Sequence, residues 1–132
     1  MRDGEGATKF IEIVVQGADS EAHATQIARS IANSPLFKTA MAGEDANWGR
    51  ILCAAGYSGV RFDPGRTDIH IGSLLVCENG MGQRFDESQA KQILQQHDIR
   101  IGLNLKSGTA SSTVWTCDLT KEYIHINADY RT

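Results

Sequence analysis

Ile99-Arg100-Ile101-Gly102-Leu103-Asn104-Leu105-Lys106 is the stretch that decides the fold class. Ile99, Ile101, Leu103 and Leu105 alternate with Arg100, Gly102, Asn104 and Lys106, a period of two that suits a strand with one buried and one wet face. Just upstream the period changes. Ala90, Ile93, Leu94 and His97 recur at helical spacing behind Asp86, which can cap a helix. Gln89 is placed to complete a capping box, with Phe85 outside it as a staple. Downstream, Ser107-Gly108 turns the chain into a second extended run, Thr109–Leu119, and Tyr123-Ile124-His125-Ile126 reads as a last short strand.

The same switching between periods runs back to the start of the chain. Phe10-Ile11-Glu12-Ile13-Val14-Val15 is a β-rich run with both faces largely apolar, as an interior strand requires. Asp19 or Ser20 can cap a following helix, in which Ala24, Ile27, Ala28 and Ile31 form one small apolar stripe. Asn33-Ser34-Pro35 ends it, and Leu36–Ala42 reads as a second strand. Asp45 or Asn47 opens another helix, with Trp48, Ile51, Leu52 and Ala55 on one face and Gly56 as its stop. Asp68–Ile71 and Leu74–Cys77 flank Gly72-Ser73, a Gly-first pair suited to a type II′ hairpin. The predicted order is βαβαββαβββ. It describes an α+β domain, one mixed or mainly antiparallel sheet with about three helices packed on it.

Composition bounds the functions open to such a domain. The 132 residues fit one core, and 41% hydrophobic with 22% charged residues is ordinary for a soluble globular chain. The net charge is −3, and no block of lysines and arginines interrupts it, so nucleic acid is not an expected partner. No stretch approaches the ~18 apolar residues of a membrane span, and the amino terminus has no apolar run, so no membrane association is expected. Cys53, Cys77 and Cys117 are widely spaced, with no Cys-x-x-Cys or His-x-x-x-His pair. They read as reduced, mostly buried thiols of a cytoplasmic protein, and no metal site is expected.

Three stretches concentrate groups that can do chemistry. Asp3-Gly4-Glu5-Gly6-Ala7-Thr8-Lys9 sets two acids, two glycines, a hydroxyl and a base ahead of a buried strand, where a carboxylate can meet an ammonium group. By composition alone it reads as a solvated terminus. Gly43-Glu44-Asp45-Ala46-Asn47-Trp48-Gly49-Arg50 could hold an anion at a helix start, but its own acids suit the helix dipole. A capped helix with a packed Trp48 is the plainer reading, and Arg50 is free to pair with one of those acids. Ile126-Asn127-Ala128-Asp129-Tyr130-Arg131-Thr132 closes the chain with polar groups of every kind. His23, His70, His97 and His125 lack a partner at a recognisable catalytic spacing and read as surface or satisfied core residues.

Taken together, these stretches carry a resemblance. Asp3-Gly4-Glu5-Gly6-Ala7-Thr8-Lys9-Phe10 resembles the DGEGATK segment of the glutamate N-acetyltransferase/ornithine acetyltransferase (ArgJ) family. Lys38-Thr39-Ala40 with Gly43-Glu44-Asp45-Ala46-Asn47-Trp48-Gly49-Arg50-Ile51 is similar to its KTA…GEDPNWGRI block, Ala46 standing in for proline in a first helical turn that tolerates either. Thr113-Val114-Trp115-Thr116-Cys117-Asp118-Leu119-Thr120 and Ile126–Arg131 resemble its carboxy-terminal signature, TVWTCDLT…INADYR.

The resemblance implies the carboxy-terminal domain of the family's β chain. The whole enzyme would move an acetyl group from N2-acetylornithine, or from acetyl-CoA as co-substrate, to L-glutamate, with no resident cofactor. Its nucleophile would be a threonine exposed by autocatalytic cleavage, which the resemblance places upstream of this chain together with the oxyanion hole. The chain alone would therefore be inactive. The implied substrate contacts are Glu5 facing an ammonium group, with Asn127 and Thr132 completing the pocket. Thr132 stands where most members end in serine, keeping the hydroxyl and adding a methyl. Implied partners are the upstream α chain, the amino-terminal part of the β chain, small amino-acid substrates and further copies in a hetero- or homo-oligomer. The competing reading is a non-enzymatic amino-acid-binding or scaffold module.

Overall fold

The computed structural model describes residues 9–118. Strand β1 (Phe10–Ala18) leads into three helices in succession, α1 (Glu21–Ala32), α2 (Pro35–Ala42) and α3 (Trp48–Gly56). After a short 3₁₀ turn at Pro64–Arg66 come β2 (Asp68–Ile71), β3 (Leu74–Glu78), β4 (Met81–Gly82), α4 (Glu87–Leu94), β5 (Asp98–Asn104) and β6 (Ala110–Cys117). The six strands form one sheet in the order β4-β3-β2-β5-β1-β6. Only β1 and β5 run parallel; the other four pairings are antiparallel. The expected α+β class and mixed sheet are therefore correct.

Register explains where the core lies. Ile11 pairs with Ile99, Ile13 with Ile101 and Val15 with Leu103, while Ile71 meets Ile101 and Ile69 meets Leu103 from the other side of β5. Opposed residues share a face, so these side chains form one continuous apolar layer, each at most 3% exposed. Helix α1 lies on this layer with Ala24, Ile27, Ala28 and Ile31, all fully buried. Small residues in that stripe let the helix approach the strands closely. Two side-chain bonds hold it over β6: Thr25 Oγ1 and Ser112 Oγ are 2.7 Å apart, and Thr116 Oγ1 donates to the Ala32 carbonyl at 3.2 Å. Ser30 Oγ donates to the Ala54 carbonyl at 2.6 Å, joining α1 to α3.

The caps resolve the choices left open by sequence. Ser20, not Asp19, caps α1 by accepting from His23 N–H at 3.1 Å, and Asn47, not Asp45, caps α3 by accepting from Arg50 N–H at 3.1 Å. Asp86 caps α4, accepting from Ser88 and Gln89 N–H groups. In the β2–β3 hairpin Gly72 takes φ +59°, as the Gly-first turn requires.

Three expectations need correction. Leu36–Ala42 belongs to helix α2, not a strand, so there are four helices among the described residues rather than about three. Its apolar residues fit both periods over so short a span. Ser34 accepts from Phe37 N–H and Pro35 fills the first turn, so the proline that ends α1 also opens α2. Phe37, Ala40 and Met41 are then buried at helical spacing while Leu36 is left 62% exposed. His97 is not on the inner stripe of α4. That helix stops at Leu94, and His97 lies in the link to β5, exposed and 2.9 Å from Asp98. Cys53, on α3, is exposed rather than buried. The expected strand at Tyr123–Ile126 lies outside the described residues.

The opposite face of the sheet carries Glu12, Gln16, Arg100, Asn104 and Trp115 and is open among the described residues. Glu12 and Arg100, neighbours across the parallel pair, form an ion pair at 3.3 Å.

At the start of β2, Asp68 Oδ1 accepts from the Asn79 N–H at 3.0 Å and pairs with Lys106 Nζ at 2.9 Å. Burial works to raise the Asp68 carboxyl, but the Asn79 hydrogen bond and the Lys106 ammonium together leave it below the ordinary carboxylate range. A depressed folded-state value means stability that is present once an ordinary carboxylate is ionised and lost as pH falls through the lower value. Thermal unfolding of the chain should thus lose midpoint as pH drops below about 4. Asp68→Asn should flatten that acid limb; parallel wild-type and variant curves would refute the assignment.

Candidate functional site

Because Phe10 pairs with Cys117 across β1 and β6, the residues just beyond that pair, Lys9 and Asp118, are brought together at one corner of the sheet. Both are buried: Asp118 is 0% exposed and Lys9 6%. The Lys9 N–H donates to Asp118 Oδ1 at 2.9 Å, and the Asp118 N–H donates back to the Lys9 carbonyl at 3.3 Å. A third residue completes the junction from the α2–α3 loop. Lys9 Nζ donates to Glu44 Oε2 at 3.3 Å, an ion pair whose carboxylate side is 29% exposed.

Local chemistry explains how Glu44 gets there. Helix α2 ends with the Glu44 N–H donating to the Met41 carbonyl at 3.1 Å and the Asp45 N–H reaching the Ala40 carbonyl at 2.8 Å. That is a Schellman ending with Gly43 at the C-cap, which puts Glu44 at the left-handed position that usually takes glycine. Its φ is +56°, a conformation that costs a non-glycine residue about 1–2 kcal/mol. The ion pair with a buried ammonium is the compensating contact.

Beyond Glu44 the loop is tied to itself. Asn47 Nδ2 donates to Asp45 Oδ2 at 3.3 Å while its carbonyl oxygen Oδ1 caps α3. The amino terminus of α3 is thus satisfied by the protein's own side chain, the plainer of the two readings of this stretch. Trp48 is half-buried against the core, and Gly82 of β4 lies so close that a Cβ there would stand 2.7 Å from Trp48 Cζ2. Arg50 does not form an ion pair with the neighbouring acids; Nη1 donates to the Leu36 carbonyl at 3.2 Å, bracing α3 against the start of α2.

Three motifs quoted from the sequence therefore meet: the first through Lys9, the second through Glu44 and the third through Asp118. Sequence reading singled out none of the three as a site residue, taking Glu44 for a helix-dipole acid, although each stood inside a quoted motif. Only pairing across the sheet and the ending of α2 put them side by side. Glu5, Asn127 and Thr132 lie outside the described residues. Lys9 and Asp118 are the residues from which the chain continues towards them.

The remaining candidates are plainer. Among the described residues no group of three or more His, Cys, Asp or Glu side chains could hold a metal ion. No helix among them is long and apolar enough to cross a membrane. His23 is exposed and His70 is half-buried in β2. Burial pushes the Cys77 thiol up, the Asp68 charge adds to the rise, and the Gly80 N–H offsets part of it.

One mixed sheet, helices packed against one face of it and a junction of three motifs at its corner define an α+β fold. The sequence model of the ArgJ family matches residues 1–132, and the chain belongs to that family. It is 51% identical over 131 residues to the arginine biosynthesis bifunctional protein ArgJ of Oceanobacillus iheyensis, covering 99% of this chain and 32% of that protein. The ArgJ of Thermotoga neapolitana is 50% identical, with 100% and 34% covered, and the mitochondrial ArgJ of Yarrowia lipolytica 47%, with 100% and 32% covered. The crystal structure of the arginine biosynthesis bifunctional protein ArgJ from Bacillus halodurans superposes with a TM-score of 0.89 at 43% identity. That match takes in 96% of this chain and 60% of that one. The chain spans about a third of the length of these curated relatives.

The thiols give a direct check on this geometry. With an aromatic disulfide reagent at neutral pH, Cys53 should react first and Cys77 only as the protein unfolds. Rapid labelling of Cys77 in the folded chain would show that its burial is wrong.

Proposed function

We propose that this chain is the carboxy-terminal part of a bifunctional acetyltransferase of arginine biosynthesis, moving an acetyl group from N2-acetylornithine to L-glutamate. Acetyl-CoA can replace N2-acetylornithine as the donor. The observation that carries the reading is the meeting of Lys9, Glu44 and Asp118, which joins three of the family's motifs at one corner of the sheet. Residues in motifs that are remote in sequence and converge in space are what a shared site needs.

In this reading the nucleophile belongs to the rest of the protein. A threonine freed by autocatalytic cleavage attacks the acetyl carbonyl with its own amine as base, and ornithine leaves. The acetyl-enzyme is then attacked by the amine of glutamate, which regenerates the threonine. Glu5 faces the ammonium group of the substrate, and Asn127 and Thr132 close the pocket from the other end of the chain. The upstream α chain and the amino-terminal part of the β chain are the partners, in an oligomer, and the cytoplasm is the site of action. The uncovered two-thirds of the relatives' length supports that partnership.

Acetyl transfer from N2-acetylornithine to labelled glutamate tests the proposal. The chain alone should be inactive, and adding the upstream part should restore turnover. Glu5→Ala, Asn127→Ala and removal of Thr132 together should then lower kcat/KM by about 100-fold or more, since charge-assisted contacts and orientation are lost. Restored turnover that survives the triple change would refute the site.

The open face of the sheet is the surface assigned here to the rest of the protein. Trp115, 55% exposed beside the Glu12–Arg100 pair, is its largest apolar side chain among the described residues. In sedimentation the isolated chain should self-associate and Trp115→Asp should shift it towards monomer. A wild-type monomer at high concentration would count against this role for the face.

A further inference from the structure

We propose that Lys9, Glu44 and Asp118 form a positioning clamp that fixes the two ends of the described chain relative to each other, the points from which the chain continues towards Glu5 and towards Asn127. The inference deepens the reading of the site given above and rests on it for the identity of the ligand.

Lys9 is held at three atoms by two other parts of the chain. Its N–H and carbonyl are both bonded to Asp118 at the end of β6, and its ammonium is bonded to Glu44 in the α2–α3 loop. A strand pair needs no such arrangement. Ordinary β pairing would end at Phe10 and Cys117, yet the next residue on each side is buried, and an aspartate side chain accepts the amide that continues the ladder. Glu44 gives a sharper indication. The Schellman ending of α2 is served as well or better by glycine at this position, because glycine adopts positive φ without strain. What glutamate supplies and glycine cannot is a carboxylate opposite the buried ammonium of Lys9. Backbone strain kept beside a buried charge is the pattern of a site whose geometry matters more than its stability.

Nothing places these three groups on the reacting atoms, so their role is exercised through what they hold. Lys9 and Asp118 are the first and last described residues, so what fixes them fixes the points from which the chain continues, four residues before Lys9 to Glu5 and nine after Asp118 to Asn127. An error of about 1 Å in a positioned contact can cost on the order of 100-fold in rate, which is enough for such a clamp to matter.

Glu44→Gly is the decisive variant, because it removes the carboxylate while suiting the backbone. It should still fold, relief of the positive-φ strain offsetting part of the cost of leaving the buried Lys9 ammonium without its carboxylate. In amide hydrogen exchange on the 132-residue chain, Lys9 and Asp118 should exchange about 10-fold faster or more, as local opening becomes easier. Glu44→Gln, which keeps an acceptor, should fall between. Unchanged protection at Lys9 and Asp118 in Glu44→Gly overturns the clamp. With the upstream part restored, Glu44→Gly should raise KM for N2-acetylornithine by about 10-fold with a smaller change in kcat, and Glu44→Gln should recover most of it. Faster exchange with an unmoved KM overturns the positioning role. Faster exchange in a system whose wild type transfers no acetyl supports the clamp and sinks the proposed reaction instead.

Discussion

Ile11 stands beside Ile99 and Ile13 beside Ile101, and on that parallel pairing of β1 with β5 the rest of the molecule depends. Parallel neighbours cannot be joined by a tight turn, so the long stretch of chain between them must be accommodated elsewhere in the fold. The three helices after β1, the β2–β3–β4 meander and α4 fill that interval. The helices cover the layer of isoleucines on one side, and β2 flanks β5 so that Ile69 and Ile71 extend it. Closing so long a loop is entropically costly, and the apolar layer buried when β1 and β5 meet is the main term that offsets it.

The junction at Lys9 follows from the neighbouring pairing, β1 with β6. Side chains alternate across a strand, so a slip of one residue would turn Ile11, Ile13 and Val15 towards the open face. It would also part Lys9 from Asp118. Core burial and the meeting of the three motifs are thus fixed by one register, and neither can be changed alone. Glu44 enters separately, delivered by the way α2 ends.

The two faces of the sheet divide the work differently. The covered face is almost wholly aliphatic, with hydroxyls of Ser112 and Thr116 on β6 used to fasten α1. The open face mixes an ion pair, amides and a large aromatic ring. Such a mixture suits a surface that meets another polypeptide better than one that packs a core, because polar groups there can be satisfied by a partner or by water. A chain covering about a third of its relatives' length leaves ample polypeptide for such a contact.

Much of this was present in the sequence. Alternation in Ile99–Leu105, the small stripe of α1, the Gly72-Ser73 turn and the cap at Asp86 are local properties, decided by neighbours within a few residues, and they read correctly. The caps of α1 and α3 were narrowed to Asp19 or Ser20 and to Asp45 or Asn47, and the fold chose Ser20 and Asn47. The family also read correctly, because its motifs are short runs of residue types. Local reading failed at Leu36–Ala42, where seven residues fit two periods and only burial of Phe37, Ala40 and Met41 against the core chose the helix. It failed at His97, where the end of α4 interrupted a stripe that spacing alone continued. The junction itself had no local signature. Lys9 and Asp118 are separated by 109 positions in the chain, and Lys9 and Glu44 by 35. What sequence alone determined was most of the elements and the motifs they carry. Tertiary structure alone decided that those motifs share a corner, because contact between distant residues is set by strand register and packing rather than by any property of the residues taken singly.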